Sequence, residues 1–177
     1  MKILVLGIGN IMFADEGMGV HLCKFIQTNY HFTHPTHTLD FIDGGTLGLQ
    51  LSYIIVQYDK LIILDCLEAD DAKIGDVFFF PYEAMPQQIS WSGSAHEVEM
   101  LQTLQFIELS GDLPKTQILG FIPKRIEPMS FELSKEALKA SKIMEKTLLE
   151  YLSKEGFEYK KIANLSLQEL ALNSYKS

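Results

Sequence analysis

The chain has 177 residues, of which 47% are hydrophobic and 21% charged, and these values are typical of one soluble globular domain with a full core. The formal net charge of −8 and the lack of a Lys/Arg cluster argue against nucleic acid and anionic membranes as partners. No apolar run is long enough to span a bilayer, and the N-terminal run is too short for a signal peptide. With two cysteines there is no disulfide framework, and we expect a cytoplasmic protein.

The first part of the chain alternates apolar strands with amphipathic segments. Residues 3–8 form a continuous apolar run that ends in a Gly-Ile-Gly-Asn turn, as expected for a central parallel strand. A helix is predicted from about Glu16, with Asp15 as the candidate N-cap and with Gly17 and Gly19 lowering the helix propensity of its first turn. A second strand is predicted over residues 39–42. Thr46 is expected to cap a helix with Leu47 on its inner side. A third strand, apolar after its first residue, is predicted over residues 60–64.

The second part completes the pattern. Residues 76–82 read as a fourth strand, and because no crossover helix precedes it, we expect an antiparallel edge strand. A helix that begins with a capping box over Ser94-Ala95-His96-Glu97 follows through about residue 109, then a fifth strand over 117–122 and a long helix over 133–153. The order β-α-β-α-β-β-α-β-α predicts a three-layer α/β/α sandwich. We expect one domain over residues 1–156, followed by a tail, 157–177, with a short helix around 165–172.

Three potential metal ligands occur at the ends of these elements: Glu16, Asp65 and His96. Each is predicted to lie at the C-terminal end of a strand or at the start of a helix, where ligands bind in open α/β sheets. Two carboxylates and one imidazole can hold a divalent ion and leave a coordination position open. Taken singly, each has a simpler explanation, since acids near a helix start complement its dipole and a lone histidine is usually structural.

Two glycine-containing turns lie at the same edge. Gly7-Ile8-Gly9-Asn10 begins like a dinucleotide fingerprint, but Met12 replaces its third glycine, so a nucleotide- or flavin-binding domain is a weak alternative to a simple tight turn. Asp43, Gly44 and Gly45 follow the second strand. They are expected to line an approach path for a peptide or a metal, with a helix-capping turn as the simpler alternative.

Two further groups of reactive side chains need an interpretation. Cys66 follows Asp65 directly and could act as a nucleophile, although a small buried hydrophobe is the more common role for such a cysteine. His31, His34 and His37 are evenly spaced in a predicted polar loop. They could bind a soft metal, but the proline among them argues against helical geometry and favours a solvated loop.

Together these residues resemble the hydrogenase maturation proteases, the endopeptidases that trim the large subunits of nickel–iron hydrogenases. The resemblance extends in order across about residues 1–155. It rests on ILVLGIGNIMFADEGMGV, on DGGTLGLQL from Asp43, on LIILD ending at Asp65, on His96 and on IPKRIEP. It implies a five-stranded, mostly parallel sheet of the phosphorylase/peptidyl-hydrolase-like kind, with a divalent metal bound by Glu16, Asp65 and His96 as the catalytic site.

The resemblance also implies a reaction and a partner. The family cleaves a C-terminal extension from the large-subunit precursor after nickel insertion, so the metal is expected to be the nickel of the substrate and the isolated protein to be metal-free. The metal either polarises the scissile carbonyl or only positions the peptide for a carboxylate base, and Asp43 is expected to contact the substrate. A non-proteolytic nickel-delivery or chaperone module is the alternative. A monomer is the default expectation.

Overall fold

A computed structural model describes residues 1–85, 89–90, 95–124 and 126–174, with side chains described for all of these except 89–90 and 95–98. The strands are β1 (Lys2–Ile8), β2 (Tyr30–Thr33), β3 (Thr38–Gly45), β4 (Lys60–Cys66), β5 (Glu68–Ala69), β6 (Val77–Pro81), β7 (Ile89–Ser90), β8 (Lys115–Phe121) and β9 (Glu158–Lys161). The α-helices are α1 (Met18–Asn29), α2 (Ser52–Ile55), α3 (Ala95–Ser110), α4 (Lys135–Lys154) and α5 (Leu167–Asn173).

Five strands form the central sheet in the order β3-β1-β4-β8-β6. The first four are parallel, and β6 pairs antiparallel with β8 at the edge. This confirms the predicted fold class and the predicted direction of the edge strand. In the register of the sheet, Gly7 of β1 lies opposite both Asp43 of β3 and Leu64 of β4, so these three strands end together at one edge.

The two faces of the sheet carry separate apolar cores. Alternate side chains of β4, such as Ile62 and Leu64, pack with α1, α4 and α5 on one face. The intervening side chains, such as Leu61 and Ile63, pack with α3 and the segment around Leu51 on the other. Burial of this apolar surface is the main favourable contribution to folding of the three layers.

The helix expected after Thr46 is shorter and differently placed than predicted. A 3₁₀ turn, Gly48–Leu51, leads into the single turn of α2, and the residue that precedes the 3₁₀ turn is Leu47. Leu47 was expected on the inner side, but it is 49% exposed. The prediction was wrong there because the apolar spacing assumed a regular helix of 3.6 residues per turn, which a 3₁₀ turn does not follow.

The predicted polar loop over residues 31–37 is also partly wrong. Its first half belongs to β2, which pairs antiparallel with β9 in a separate two-stranded sheet. Asn29 holds the segment that follows β9, because its side chain bonds both the N–H and the carbonyl of Leu165. The short helix near the C-terminus is present as α5. Among the described residues, no helix is long and apolar enough to cross a membrane.

Candidate functional site at the carboxyl edge of the sheet

Two glycines bring the start of α1 against the ends of the central strands. A Cβ on Gly19 would lie 2.3 Å from the carbonyl oxygens of both Ile8 and Leu64, and a Cβ on Gly9 would lie 1.9 Å from the carbonyl oxygen of Glu16. Gly9 also has a φ of +132°, which side chains rarely permit. These glycines therefore allow close contact of backbone with backbone, and that contact puts Glu16 at the carboxyl edge of the sheet.

Glu16 lies in the 3₁₀ turn Ala14–Gly17 that precedes α1. Its side chain is 4% exposed, and its carboxylate accepts no hydrogen bond from the residues that the structure describes. A largely buried carboxylate without a protein donor keeps its lone pairs available to water or to a ligand that reaches this edge of the sheet. Glu16 is thus a carboxylate at the sheet edge whose hydrogen-bonding and coordination capacity the described chain leaves unused.

The neighbouring Asp15 does not have its expected role as the N-cap of α1. Gly17 takes that position, and the Asp15 carboxylate is fully buried. It accepts hydrogen bonds from the N–H of Ser134 at 2.7 Å, the hydroxyl of Ser134 at 2.7 Å and the N–H of Lys124 at 3.0 Å. Since Ser134 is the N-cap of α4, Asp15 connects the turn of Glu16 to the start of that helix.

The same turn is held in an unusual backbone conformation. Ala14 has a φ of +54°, which is uncommon for a residue with a side chain. Its N–H donates to the carbonyl of Ser130 at 2.7 Å, and Phe13 pairs with Ser130 in an isolated bridge. Strained backbone of this kind persists only where the surroundings enforce it. Here the segment that leads into α4 holds the residues directly before Glu16.

Asp65 ends the apolar series of β4 and is 1% exposed. One of its carboxylate oxygens accepts the N–H of Cys66 at 2.7 Å. The thiol of Cys66 in turn donates to the carbonyl oxygen of Asp15 at 3.1 Å and is fully buried. Cys66 therefore links the two segments that carry the carboxylates, and its burial favours this structural role over that of a nucleophile.

The position of Asp65 in β4 assigns it to the α3 face of the sheet. It continues the series of Leu61 and Ile63, which pack with α3. His96 is the second residue of α3, but its side chain lies outside the described residues, as does Ser94, the expected cap. The structure thus brings Glu16 and Asp65 to one edge of the sheet, and it packs the helix that carries His96 on the face to which Asp65 belongs.

Asp43 belongs to the opposite face, because it continues the series of Leu39 and Phe41 that packs towards α1. The Asp43 side chain is partly exposed to solvent. Desolvation by the surrounding protein raises the pKa of its carboxyl above the ordinary value. A hydrogen bond from the Gly45 N–H and the positive charge of Lys24 act in the opposite direction and limit this rise. Asp43 lines a cavity of about 360 Å³ between α1 and α5. Its expected contact with substrate would therefore occur on a different face from Asp65.

The two glycines after Asp43 have structural explanations. A Cβ on Gly44 would lie 2.7 Å from the side chain of Ile8, so close packing requires the small residue. Gly45 has a φ of +48°, and its carbonyl oxygen accepts the N–H of Gly9 at 3.0 Å. This hydrogen bond joins the turns after β1 and β3. The direct contact of Gly44 and Gly45 with substrate stays a prediction.

The histidines near β2 form a local structure instead of a metal site. His34 and His37 stack with ring centroids 3.9 Å apart, and Nδ1 of His34 accepts the N–H groups of Thr36 and His37. His31 lies in β2 itself. In the described part of the chain, no group of three or more His, Cys, Asp or Glu residues is arranged to hold a metal ion. That finding does not test the trio containing His96, whose side chain is outside the description.

One buried polar residue near the edge was not singled out from the sequence. His21, on α1, is 3% exposed, and its Nε2 has no hydrogen-bond partner in the described structure. Burial lowers its pKa to about 4, so the ring is neutral at neutral pH. Nothing in its sequence neighbourhood distinguished it, since a histidine within an amphipathic helix is as often on the surface. Only the packing of α1 shows that it is enclosed.

The fold is that of an α/β protein, and the grouped carboxylates make the crevice at the carboxyl ends of its parallel strands the candidate site. Fold alone does not specify a reaction. A family model described as hydrogenase maturation protease matches residues 20–151. Protein HydD of Wolinella succinogenes is 46% identical over 158 residues, which cover 89% of this chain and 99% of that protein.

One further relative and one solved structure indicate the same family. The hydrogenase 2 maturation protease of Escherichia coli strain K12 is 31% identical over 129 residues, or 72% of this chain and 77% of that one. The structure of the hydrogenase maturating endopeptidase HybD from E. coli matches with a TM-score of 0.78 at 27% identity, covering 91% of this chain and 98% of that chain. The chain belongs to the hydrogenase maturation protease family, and it is a peptidase that acts in hydrogenase maturation.

Proposed function

We propose that this peptidase removes a C-terminal extension from the large-subunit precursor of a nickel–iron hydrogenase after nickel has been inserted. In this proposal Glu16, Asp65 and His96 recognise the nickel, which arrives as part of the substrate. The observation that supports it best is the buried carboxylate of Glu16, which accepts no hydrogen bond from the described residues and lies at the same sheet edge as Asp65.

The chemistry of these side chains suits such a role. Two carboxylates and an imidazole can complete the coordination of a nickel ion that the precursor already holds. The Glu16 carboxylate has capacity to bind a cation that the substrate brings, whereas a nickel-free precursor would offer no such cation. The site would then act as a check that metal insertion is complete. Nickel would supply either polarisation of the scissile carbonyl or positioning of the peptide for a carboxylate base.

The remaining residues of the edge would hold this site in place. Asp15 and Cys66 connect the turn of Glu16 to α4 and to β4, so that the two carboxylates keep a constant separation. We assign substrate contact to Asp43, Gly44 and Gly45. We also place the reaction in the cytoplasm with a monomeric enzyme and the nickel-loaded precursor as its partner. Neither of the two cysteines forms a disulfide and both are buried, as a reducing compartment would allow.

The direct test compares a nickel-loaded large-subunit precursor with a nickel-free preparation, each incubated with this protein. Intact mass spectrometry before and after incubation measures whether a C-terminal peptide is lost. A discrete loss in the loaded sample alone is the expected result. Equal loss from both preparations would remove nickel recognition from the proposal. Stable binding without any loss of mass would favour a delivery or chaperone role.

Substitutions test the three assigned residues. We expect Glu16→Gln, Asp65→Asn and His96→Ala each to abolish processing, because each removes one ligand of the nickel. Thermal melting should change little, since neutralising a buried carboxylate also removes its desolvation penalty. Cys66→Ala tests the thiol as a nucleophile: it removes the thiol hydrogen bond to the carbonyl of Asp15 but no ligand, so the variant should still process the precursor, and a folded, inactive variant would restore the nucleophile hypothesis. Ile143→Ser, at an exposed position on α4, is the control that should keep the rate of the unmodified protein. Full activity in a ligand variant would exclude that residue from the site.

A further inference from the structure

A groove lies between α3 and the segment that follows the Gly44–Gly45 turn. It encloses about 500 Å³ and is bounded on one side by Leu47, Leu49 and Gln50. Residues of α3 form the other side, and these are Glu99, Gln102, Thr103 and Phe106. The two walls touch at Gly48, where a Cβ would lie 2.5 Å from a carboxylate oxygen of Glu99. We call this feature the α3 groove.

The apolar side chains of the α3 groove are unusually exposed. Leu47, Leu49 and Phe106 have 49%, 57% and 55% of their surface accessible. Single exposed apolar residues are ordinary, but a group of them along one concavity marks a surface that is covered by something else in use. Leu47 was predicted to be on the inner side of a helix. The 3₁₀ turn instead directs it outward, so the groove exists because the local backbone departs from a regular helix.

The α3 groove is continuous with the candidate site at both of its walls. On one side, the N–H of Leu47 donates to the carbonyl of Gly44, so this wall begins directly at the turn after β3. On the other side, positions 96, 99, 103 and 106 of α3 recur at spacings of three and four residues, which is one face of a helix. From position 96 to Phe106 this face extends about 15 Å, the length of about four or five residues of extended chain.

We propose that the α3 groove binds an extended, largely apolar segment of the hydrogenase precursor that adjoins its scissile bond. This inference rests on the proposed function, and it adds the surface by which the substrate is held. Glu99 is the charged side chain of the lining, and the whole chain carries a net charge of −8. An acidic segment would therefore be repelled, and an uncharged or basic one favoured. Gln50 and Gln102 can bond the peptide groups of an extended chain.

The test uses the full protein and the nickel-loaded precursor. The double variant Leu49→Ser/Phe106→Ser removes two exposed apolar side chains from the groove, and both are exposed enough that the fold should tolerate the change. We expect KM for the precursor to rise about tenfold, as for the loss of a main interface contact, with kcat and melting temperature nearly unchanged. Ile143→Ser on α4, where the side chain is 53% exposed outside the groove, is the matched control and should leave KM unchanged.

The outcomes separate this inference from the proposed function. If the unmodified protein shortens the precursor and the double variant has the same KM, the groove does not hold the substrate and the inference is wrong. If the unmodified protein fails to shorten the precursor, the proposed function is wrong, and direct binding of the precursor to both proteins then decides on the groove. Concentration-dependent dimers in sedimentation that the double variant abolishes would mean that a second copy covers this surface, which would also overturn the inference.

Discussion

The long helices α3 and α4 cover opposite faces of the sheet, and they differ in their outer surfaces. Helix α4 places an apolar series in the core, including Met144 and Leu148, and Ile143 is its exposed large apolar side chain. Helix α3 also fills the core, through Met100, Leu104 and Ile107, but Phe106 and Leu109 remain exposed. A helix with apolar residues beyond its inner face has a further surface to cover.

This difference in exposed apolar surface indicates that α4 mainly supports the fold, whereas α3 also contributes to binding. The apolar face of α4 is satisfied by the fold, so the body of this helix is scaffold. The start of α4 has an additional task, since its N-cap, Ser134, also bonds Asp15 beside Glu16. Helix α3 carries His96 near its start and the wall of the α3 groove along its length. We therefore expect changes on α4 to act on stability, except at its first turn, and changes on the outer side of α3 to act on substrate binding.

The largest effect is expected at the link between α4 and the site. Asp15→Ala removes the three hydrogen bonds that Ser134 and Lys124 make to a buried carboxylate, and it leaves the N–H groups of these two residues without that acceptor. We expect the free energy of unfolding to fall by about 3–5 kcal/mol, measured by urea denaturation. Processing should be lost even where the variant is folded, because the turn of Glu16 is no longer held. A folded, active variant would show that α4 is scaffold at its first turn as well.

A second prediction concerns pH and the face that α1 and α4 share. Burial lowers the pKa of His21 to about 4 in the folded protein, so below the ordinary pKa of 6.5 the unfolded chain binds a proton that the folded protein does not. Stability should therefore decrease as the pH falls from about 6.5 to 4, by about 3 kcal/mol in total.

Denaturation at several pH values measures this slope, and His21→Gln should flatten it. Amide hydrogen exchange at low pH measures the two faces of the sheet separately. The amides of α1, which carries His21, should lose protection at a higher pH than those of α3 on the opposite face. If both helices lose protection together, the acid effect is global and the two faces are not distinguished by it.

The smallest effects are expected at two exposed apolar positions outside the groove. Leu109 on α3 is 88% exposed and does not line the α3 groove, and Ile143 is its counterpart on α4. Leu109→Ser and Ile143→Ser should each change the free energy of unfolding by less than about 0.5 kcal/mol. Neither should change KM for the precursor. A raised KM for Leu109→Ser alone would extend the binding surface of α3 beyond the groove.

Several features could be predicted from local sequence. The apolar runs of β1 and β4 identified buried parallel strands, because strands covered on both faces have no polar side to show. The lack of a crossover helix predicted the antiparallel edge strand β6. The predicted ends of the strands also indicated that Glu16 and Asp65 lie at one edge of the sheet, and the structure places both residues there. Motifs in order along the chain pointed to the family to which the chain belongs.

Other features depend on partners that are distant along the chain, and no local pattern contains them. Asp15 looked like the cap of α1, but its partners are Lys124 and Ser134. Strand β2 looked like a polar loop because β9, which pairs with it, follows more than a hundred residues later. Gly19 seemed only to weaken a helix until its contact with two strand ends was visible.

The sequence by itself determined the strands of the central sheet, the long helices, the mainly parallel order and the edge at which the carboxylates gather, because these follow from periodicity and from the direction of each strand. Only the tertiary structure decided the faces: Asp65 belongs to the side of α3, whereas Asp43 belongs to the side of α1. It also decided that Leu47 is exposed and that Asp15 binds α4. The physical reason is that burial and hydrogen bonding depend on what packs against a residue, which the pattern around that residue does not specify.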